Sequence, residues 1–310
     1  MSTTPEQTNS NVQFVDRVRT APWAMLHVAY PEVLRTVQVE VTIDDRDEQP
    51  EPIVVSESPA VNEAAVPRLA KVSGQVAVIP IRGTIGQHYS SDYWAGTYTE
   101  RLAAQVATMM ASPSVGAVVL DIDSPGGIVY GTPEVAAVIR GFRGVKPIYG
   151  LANGMAASAA YWIGSSADKL FMTPSSEVGS IGVWSAHEDI SGMLEHFGVD
   201  ITLISAGEFK VEGHPFAPLD DEAKAEMQRS VDRYYEMFLK DVALGRGEKV
   251  SVVKATYGKG RLLGAEDAKA AGMVDGIATL PELISGIMQP KRRSTRGAAL
   301  SLAIGLEEAE

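Results

Sequence analysis

Cysteine is absent from this 310-residue chain. That excludes disulfides, thiolate metal sites and a cysteine nucleophile, and it is compatible with a cytoplasm. Positive charge is scarce: 27 Lys and Arg against 39 Asp and Glu leave a formal net charge of −12. A general nucleic-acid binder needs clustered Lys and Arg to neutralise phosphates, so that class is disfavoured. The one basic cluster, KRRSTR at residues 291–296, reads as a solvated tail. No run reaches the ~18 apolar residues of a membrane helix. The opening MSTTPEQTNSNVQF lacks the basic start and apolar stretch of a secretory signal. The phosphate-loop pattern G-x-x-x-x-G-K-[ST] is missing too, so ATP-driven work is not expected. These absences predict a protein that is made and acts in a cytoplasm, without a membrane or nucleic-acid partner.

What is present is ordinary for a soluble globular chain: 45% hydrophobic residues, 7% aromatics and 29 glycines. Residues 1–39 form an N-terminal arm whose Trp23, Met25, Leu26, Val28 and Leu34 suit a helical hairpin or a docking arm. Residues 40–71 are acidic and Pro-containing, lack periodicity, and read as a flexible linker. A domain is expected over 72–285 and a flexible tail over 286–310. Within the domain QVAVIPIRG, GAVVLDIDS, KPIYGLANG, DKLFMTP and VDITLIS read as strands, with PGG as a turn after the second. Between and after them come the helical TERLAAQVATMMAS, TPEVAAVIRGFR (Thr cap, Pro in the first turn), HEDISGMLEHFG, a long helix ending in ALGRG, and GAEDAKAAGMVDGIA. Apolar strands separated by helices predict an α/β fold with a mostly parallel, buried sheet. Active sites in such sheets gather at the carboxyl ends of strands, where both DSPGG and NGMAAS fall.

Four pieces carry candidate chemistry. In DIDSPGG, residues 121–127, paired glycines offer bare N–H groups, which suits either an oxyanion hole or a plain strand-to-helix turn. In NGMAASAAYWIG, residues 153–164, Ser158 is either a nucleophile in the first turns of a helix or a small residue packing helix on sheet. It is not a G-x-S-x-G elbow, because both glycines are missing. A nucleophilic serine needs a base. Of His27, His88, His187, His196 and His214, two sit in or near a surface helix, and a desolvated lysine is an alternative. Lys210, between Phe209 and Val211, is that alternative, or else a solvated charge. Ser180, in EVGSIGV, is either a hydroxyl that orients the lysine or a turn serine.

Taken together and in order, VIPIRGTI, VVLDIDSPGG, ANGMAASAAYWI, ADKLFMTPSSEVGSIGV, GVDITLISAGEFKVEGHPFAPLDDEAK and RLLGAEDAKAAGMVDGI resemble the signal-peptide-peptidase-A (protease IV) family of serine peptidases. The resemblance covers roughly Val76 to Ile277 and is nearest to phage head maturation proteases. It implies a Clp protease/crotonase-like fold with a Ser–Lys dyad: Ser158 as nucleophile, Lys210 as general base and Ser180 supporting the lysine. The amide of Gly127 or Gly126, with that of Ala159, would form the oxyanion hole. No metal or cofactor is implied. The implied substrates are scaffold, portal or capsid proteins in the host cytoplasm, inside the assembling prohead. A homo-oligomer is implied, and self-cleavage of the termini is expected, for example in the tail RGAALSLAIG. The competing readings are a cellular peptidase of the same family, a crotonase-type acyl-CoA enzyme, a non-catalytic assembly scaffold, and a Ser–His peptidase using His187.

Overall fold

The computed structural model describes residues 23–25, 49–88 and 96–288. In chain order its strands begin with β1 (Trp23–Met25), β2 (Ile53–Val55), β3 (Gln75–Gly86) and β4 (Gly96–Tyr98). Then come α1 (Thr99–Ala111), β5 (Val115–Ile128), α2 (Thr132–Gly141), β6 (Ile148–Ala157), α3 (Ala159–Gly164), β7 (Lys169–Met172) and β8 (Glu177–Gly179). The remainder is α4 (Ser191–His196), α5 (Asp221–Arg246), α6 (Val250–Thr256), β9 (Leu262–Gly264), α7 (Ala265–Ala270), β10 (Gly276–Ile277) and α8 (Leu280–Ile287).

Among the described residues ten strands join one sheet whose main path runs β10-β7-β6-β5-β3-β2. The five strands from β10 to β3 are mutually parallel, and β2 closes the far edge antiparallel to β3. Period-two alternation explains why these strands read as continuous apolar runs. Ala77, Ile79 and Ile81 of β3 and Val118, Leu120 and Ile122 of β5 enter one core, closed by α1, α2, α3 and α5. Val76, Val78, Ala117, Val119, Tyr149 and Leu151 enter a second core on the opposite face, covered by Leu283, Ile284 and Ile287 of α8. The mixed α/β architecture with a mostly parallel sheet is as the sequence predicts. Among the described residues no helix is long and apolar enough to cross a membrane.

The structure departs from the sequence reading in several places. The residues PGG are not a turn: β5 continues through them, with Gly126 opposite Thr84 and Gly127 opposite Ile85 of β3. VDITLIS forms no strand. Its residues pair with no strand among the described residues, and Ile204 is 95% exposed. Helix α2 is capped by Gly131 at φ 81°, and the Thr132 hydroxyl donates instead to the Ile128 carbonyl at 3.1 Å. Inside the stretch read as a linker, Ile53–Val55 pairs with β3, and the Gln49 side chain is buried against Gln105 and the Tyr98 N–H. Trp23–Met25 is a strand, not part of a helical hairpin. Leu26, Val28, Leu34, the 291–296 cluster and the tail beyond 288 lie outside the described residues.

Candidate active site

Strand β6 leaves β5 after the pair Ser124–Ala156, ends at Ala157, and passes through Ser158 directly into α3. Ser158 adopts φ 54°, ψ −119°, a conformation that costs a non-glycine residue about 1–3 kcal/mol and persists only where its surroundings impose it. Here they do. Its N–H donates to the Gly179 carbonyl at 2.7 Å, and its own carbonyl accepts from the Trp162 N–H at 2.9 Å. Ala156, Ala157, Ala159 and Ala160 are fully buried, so only small side chains fit round the corner. The geometry is a strand–turn–helix elbow made with alanines where a G-x-S-x-G elbow has glycines. The Ser158 hydroxyl is itself buried and has no hydrogen-bond partner. A buried hydroxyl left unpaired is costly, which makes this one a candidate for chemistry.

Ser180 is brought beside it by backbone pairing. Ala157 of β6 stands opposite Gly179 of β8, and Ser180 follows at φ 53° with its N–H donating to the Arg261 carbonyl at 2.9 Å. Gly179, at φ 126°, lets β9 come close: a Cβ there would lie 2.6 Å from the Arg261 oxygen.

The glycine pair lies on the next strand. The Gly126 N–H donates to the Ser124 hydroxyl at 3.1 Å, and that hydroxyl donates to the Gly83 carbonyl at 2.6 Å. Gly127 tolerates no side chain, because a Cβ would stand 1.9 Å from the Ile85 carbonyl oxygen. Strand ends here are also tied by side chains. Asp121, 4% exposed, takes Arg82 in an ion pair and accepts from the Asn153 amide at 3.0 Å, and Asp123 accepts from the Met155 N–H at 3.1 Å.

Lys210 makes no hydrogen bond to the cluster. It is exposed in the irregular stretch between α4 and α5, where its N–H donates to the Gly207 carbonyl, and it makes no hydrogen bond to Ser158. The same stretch exposes Val199, Ile201, Leu203, Ile204 and Phe209, with Met193 and Phe197 of the preceding segment. His187 is half-buried, its Nε2 is buried without a partner, and it does not bond Ser158 either.

Sequence reasoning missed the clamp behind α3. Trp162 stacks on Phe238 of α5, with ring centroids 4.4 Å apart and 7° between planes, and its Nε1 donates to Asp241 at 2.8 Å. The other Asp241 oxygen accepts from Arg140 at 2.9 Å, and Arg140 also donates to the Ser166 hydroxyl. Arg143 of the loop after α2 donates to the carbonyls of Ser166, Ala167 and Gly245. Tyr161 is buried, its hydroxyl donates to the Met273 carbonyl, and burial raises its phenol well above the ordinary range. One signal was available in the sequence. Phe238, Val242 and Gly245 mark the inner face of α5 at helical spacing, and an Asp inside that stripe implies a partner.

The comparisons with known proteins point to one family. The model described as "Peptidase family S49" matches residues 141–293. The chain is 33% identical over 220 residues to "Capsid assembly protease C" of Escherichia phage lambda, covering 70% of this chain and 50% of that protein. It is 32% identical over 244 residues to "Head-tail preconnector protein GP5" of Enterobacteria phage P21, covering 78% of this chain and 48% of the relative. It is also 30% identical over 217 residues to "Protease 4" of Salmonella typhi, covering 70% and 34%. The chain thus spans about half the length of the two phage relatives. Over residues 141–293, which hold Ser158, Ser180, Lys210 and all of the α3 clamp but Arg140, this chain matches peptidase family S49.

Proposed function

We propose that the protein is a metal-free, ATP-independent serine endopeptidase of Clp protease/crotonase-like fold, acting on proteins of a phage head during assembly in the host cytoplasm. The observation that carries this reading is Ser158: a buried, unpartnered hydroxyl on a positive-φ elbow between strand and helix. Neutral Lys210 takes the Ser158 proton as the hydroxyl attacks the scissile carbonyl, and Ser180 orients the lysine. Of the two glycines, Gly127 is the better oxyanion donor with Ala159, because the Gly126 N–H is already engaged by Ser124. The lysinium protonates the leaving amine, and water attacks the acyl-serine with Lys210 again as base, releasing the acid and free Ser158.

Lys210 needs company to do this. Its surroundings, with Ile204, Phe209 and Val199 exposed, suit coverage by a second copy of the chain, which would take the amine out of water. A homo-oligomer is therefore part of the proposal. Substrates are scaffold, portal or capsid proteins, and the enzyme trims its own termini. Co-expression with those proteins tests the reading. The wild type is expected to cleave at least one of them and to shorten itself by mass spectrometry, while Ser158→Ala and Lys210→Ala do neither. Cleavage that survives Ser158→Ala would refute it.

A further inference from the structure

Strand β1 sits at the candidate active site. It pairs antiparallel with the end of β5, Trp23 opposite Ile128, Ala24 opposite Gly127 and Met25 opposite Gly126. The same glycines already pair with Thr84 and Ile85 of β3 on one side. A strand has only two edges, so β1 must hold the other. That second edge is the one β6 occupies up to Ser124–Ala156, before it departs towards Ser158 two residues later. Strand β1 therefore fills the notch that opens where β6 peels away, against the glycine pair and next to the elbow.

We propose that the chain's own segment Trp23–Met25, seated on the β5 edge at residues 126–128, is an internal competitor of extended substrate. An unpaired strand edge recruits extended peptide through main-chain hydrogen bonds, which need no particular side chains. A substrate backbone reaching both the Gly127 amide and the Ser158 hydroxyl has to run along this same edge. The register places Ala24, a small residue, opposite Gly127. The segment belongs to the N-terminal arm, with 23 residues between it and residue 49, so the competitor is tethered and acts at high effective concentration. The competitive consequence rests on the peptidase reading above; the docking itself does not.

Two measurements on the full-length chain test this. The first is hydrogen exchange in Ser158→Ala, with and without Ala24→Pro plus Met25→Pro. Adjacent residues of an antiparallel pair present their N–H groups to opposite sides, so the two prolines together remove at least one donor to β5 whichever set faces it. At least one amide of residues 126–128 is expected to exchange roughly ten-fold faster in the proline variant. A synthetic peptide of residues 18–30 added to that variant is expected to restore the protection, which separates loss of the strand from misfolding. The second is steady-state cleavage of an extended fluorogenic peptide in the Ser158-containing pair. Removing the competitor is expected to lower KM several-fold at unchanged kcat. Unchanged protection or unchanged KM overturns the inference. Protection that fades on dilution of the chain would assign the strand to a second copy and overturn the intrachain reading. If protection responds but neither protein cleaves peptide nor reacts with a fluorophosphonate at Ser158, the peptidase reading fails and strand docking stands.

Discussion

Ser158 and Gly179 meet across the β6–β8 junction, the serine N–H donating to the glycine carbonyl at 2.7 Å. The bond fixes the elbow to the strand that also carries Ser180. Gly179→Ala sets a Cβ 2.6 Å from the Arg261 oxygen in a backbone of φ 126°. The substitution is expected to cost about 2–3 kcal/mol in urea unfolding and to lower kcat more than KM. An unchanged kcat with reduced stability would separate the junction from the chemistry.

Ser158→Ala makes a two-sided prediction. Peptide cleavage is expected to fall roughly 10⁴–10⁶-fold, the range for removal of a nucleophile. Stability is expected to rise or hold, because the serine hydroxyl is buried and unpaired and its removal costs no hydrogen bond. Thermal melting beside the activity assay reads both. Lys210→Ala is expected to match the activity loss.

Asp241 holds Trp162 and Arg140 from one carboxylate. Asp241→Ala leaves the Arg140 guanidinium without its anion in a mostly buried place, at a cost of about 3 kcal/mol. Asp241→Asn keeps the shape and is expected to cost less. Denaturant midpoints of the two variants check the order, and equal midpoints would remove the charge from the explanation.

Tyr161 gives a pH prediction at the alkaline end. Burial holds its phenol protonated in the folded state, above its ordinary value of 10.0. Below about pH 10 folded and unfolded states carry the same proton, so the contribution is fully present. Above it the unfolded state binds fewer protons, and stability falls by up to ~1.4 kcal/mol per pH unit. Tyr161→Phe is expected to be less stable at neutral pH, having lost the bond to Met273, but to show a shallower alkaline decline in unfolding free energy.

Much of the architecture was legible because it depends on local pattern. The apolar runs of β3, β5 and β6 announce strands buried on both faces, and the Asp220 cap and Gly247 stop of α5 are ordinary helix signals. The Pro-Gly-Gly of β5 misled for the same reason: it is a strong local turn signal, overruled by pairing with β3 some forty residues earlier. VDITLIS reads as a strand by composition, but a strand needs a neighbour and none pairs with it among the described residues. The elbow at Ser158 was half legible. Its ring of alanines was visible, whereas the positive φ depends on Gly179, 21 residues away, and on Trp162. The Asp241 clamp joins residues about a hundred positions apart and left only a charge in an apolar stripe as its trace.

Helix α3 is six residues long, too short to persist on its own. Its start is held by β8, its middle by the Trp162 contacts to α5, and its end by Arg140 and Arg143. No part of it can loosen while the sheet and α5 remain intact. The elbow thus has no private route to melting, and heat or denaturant should extinguish its reactivity and dissolve the domain in a single step.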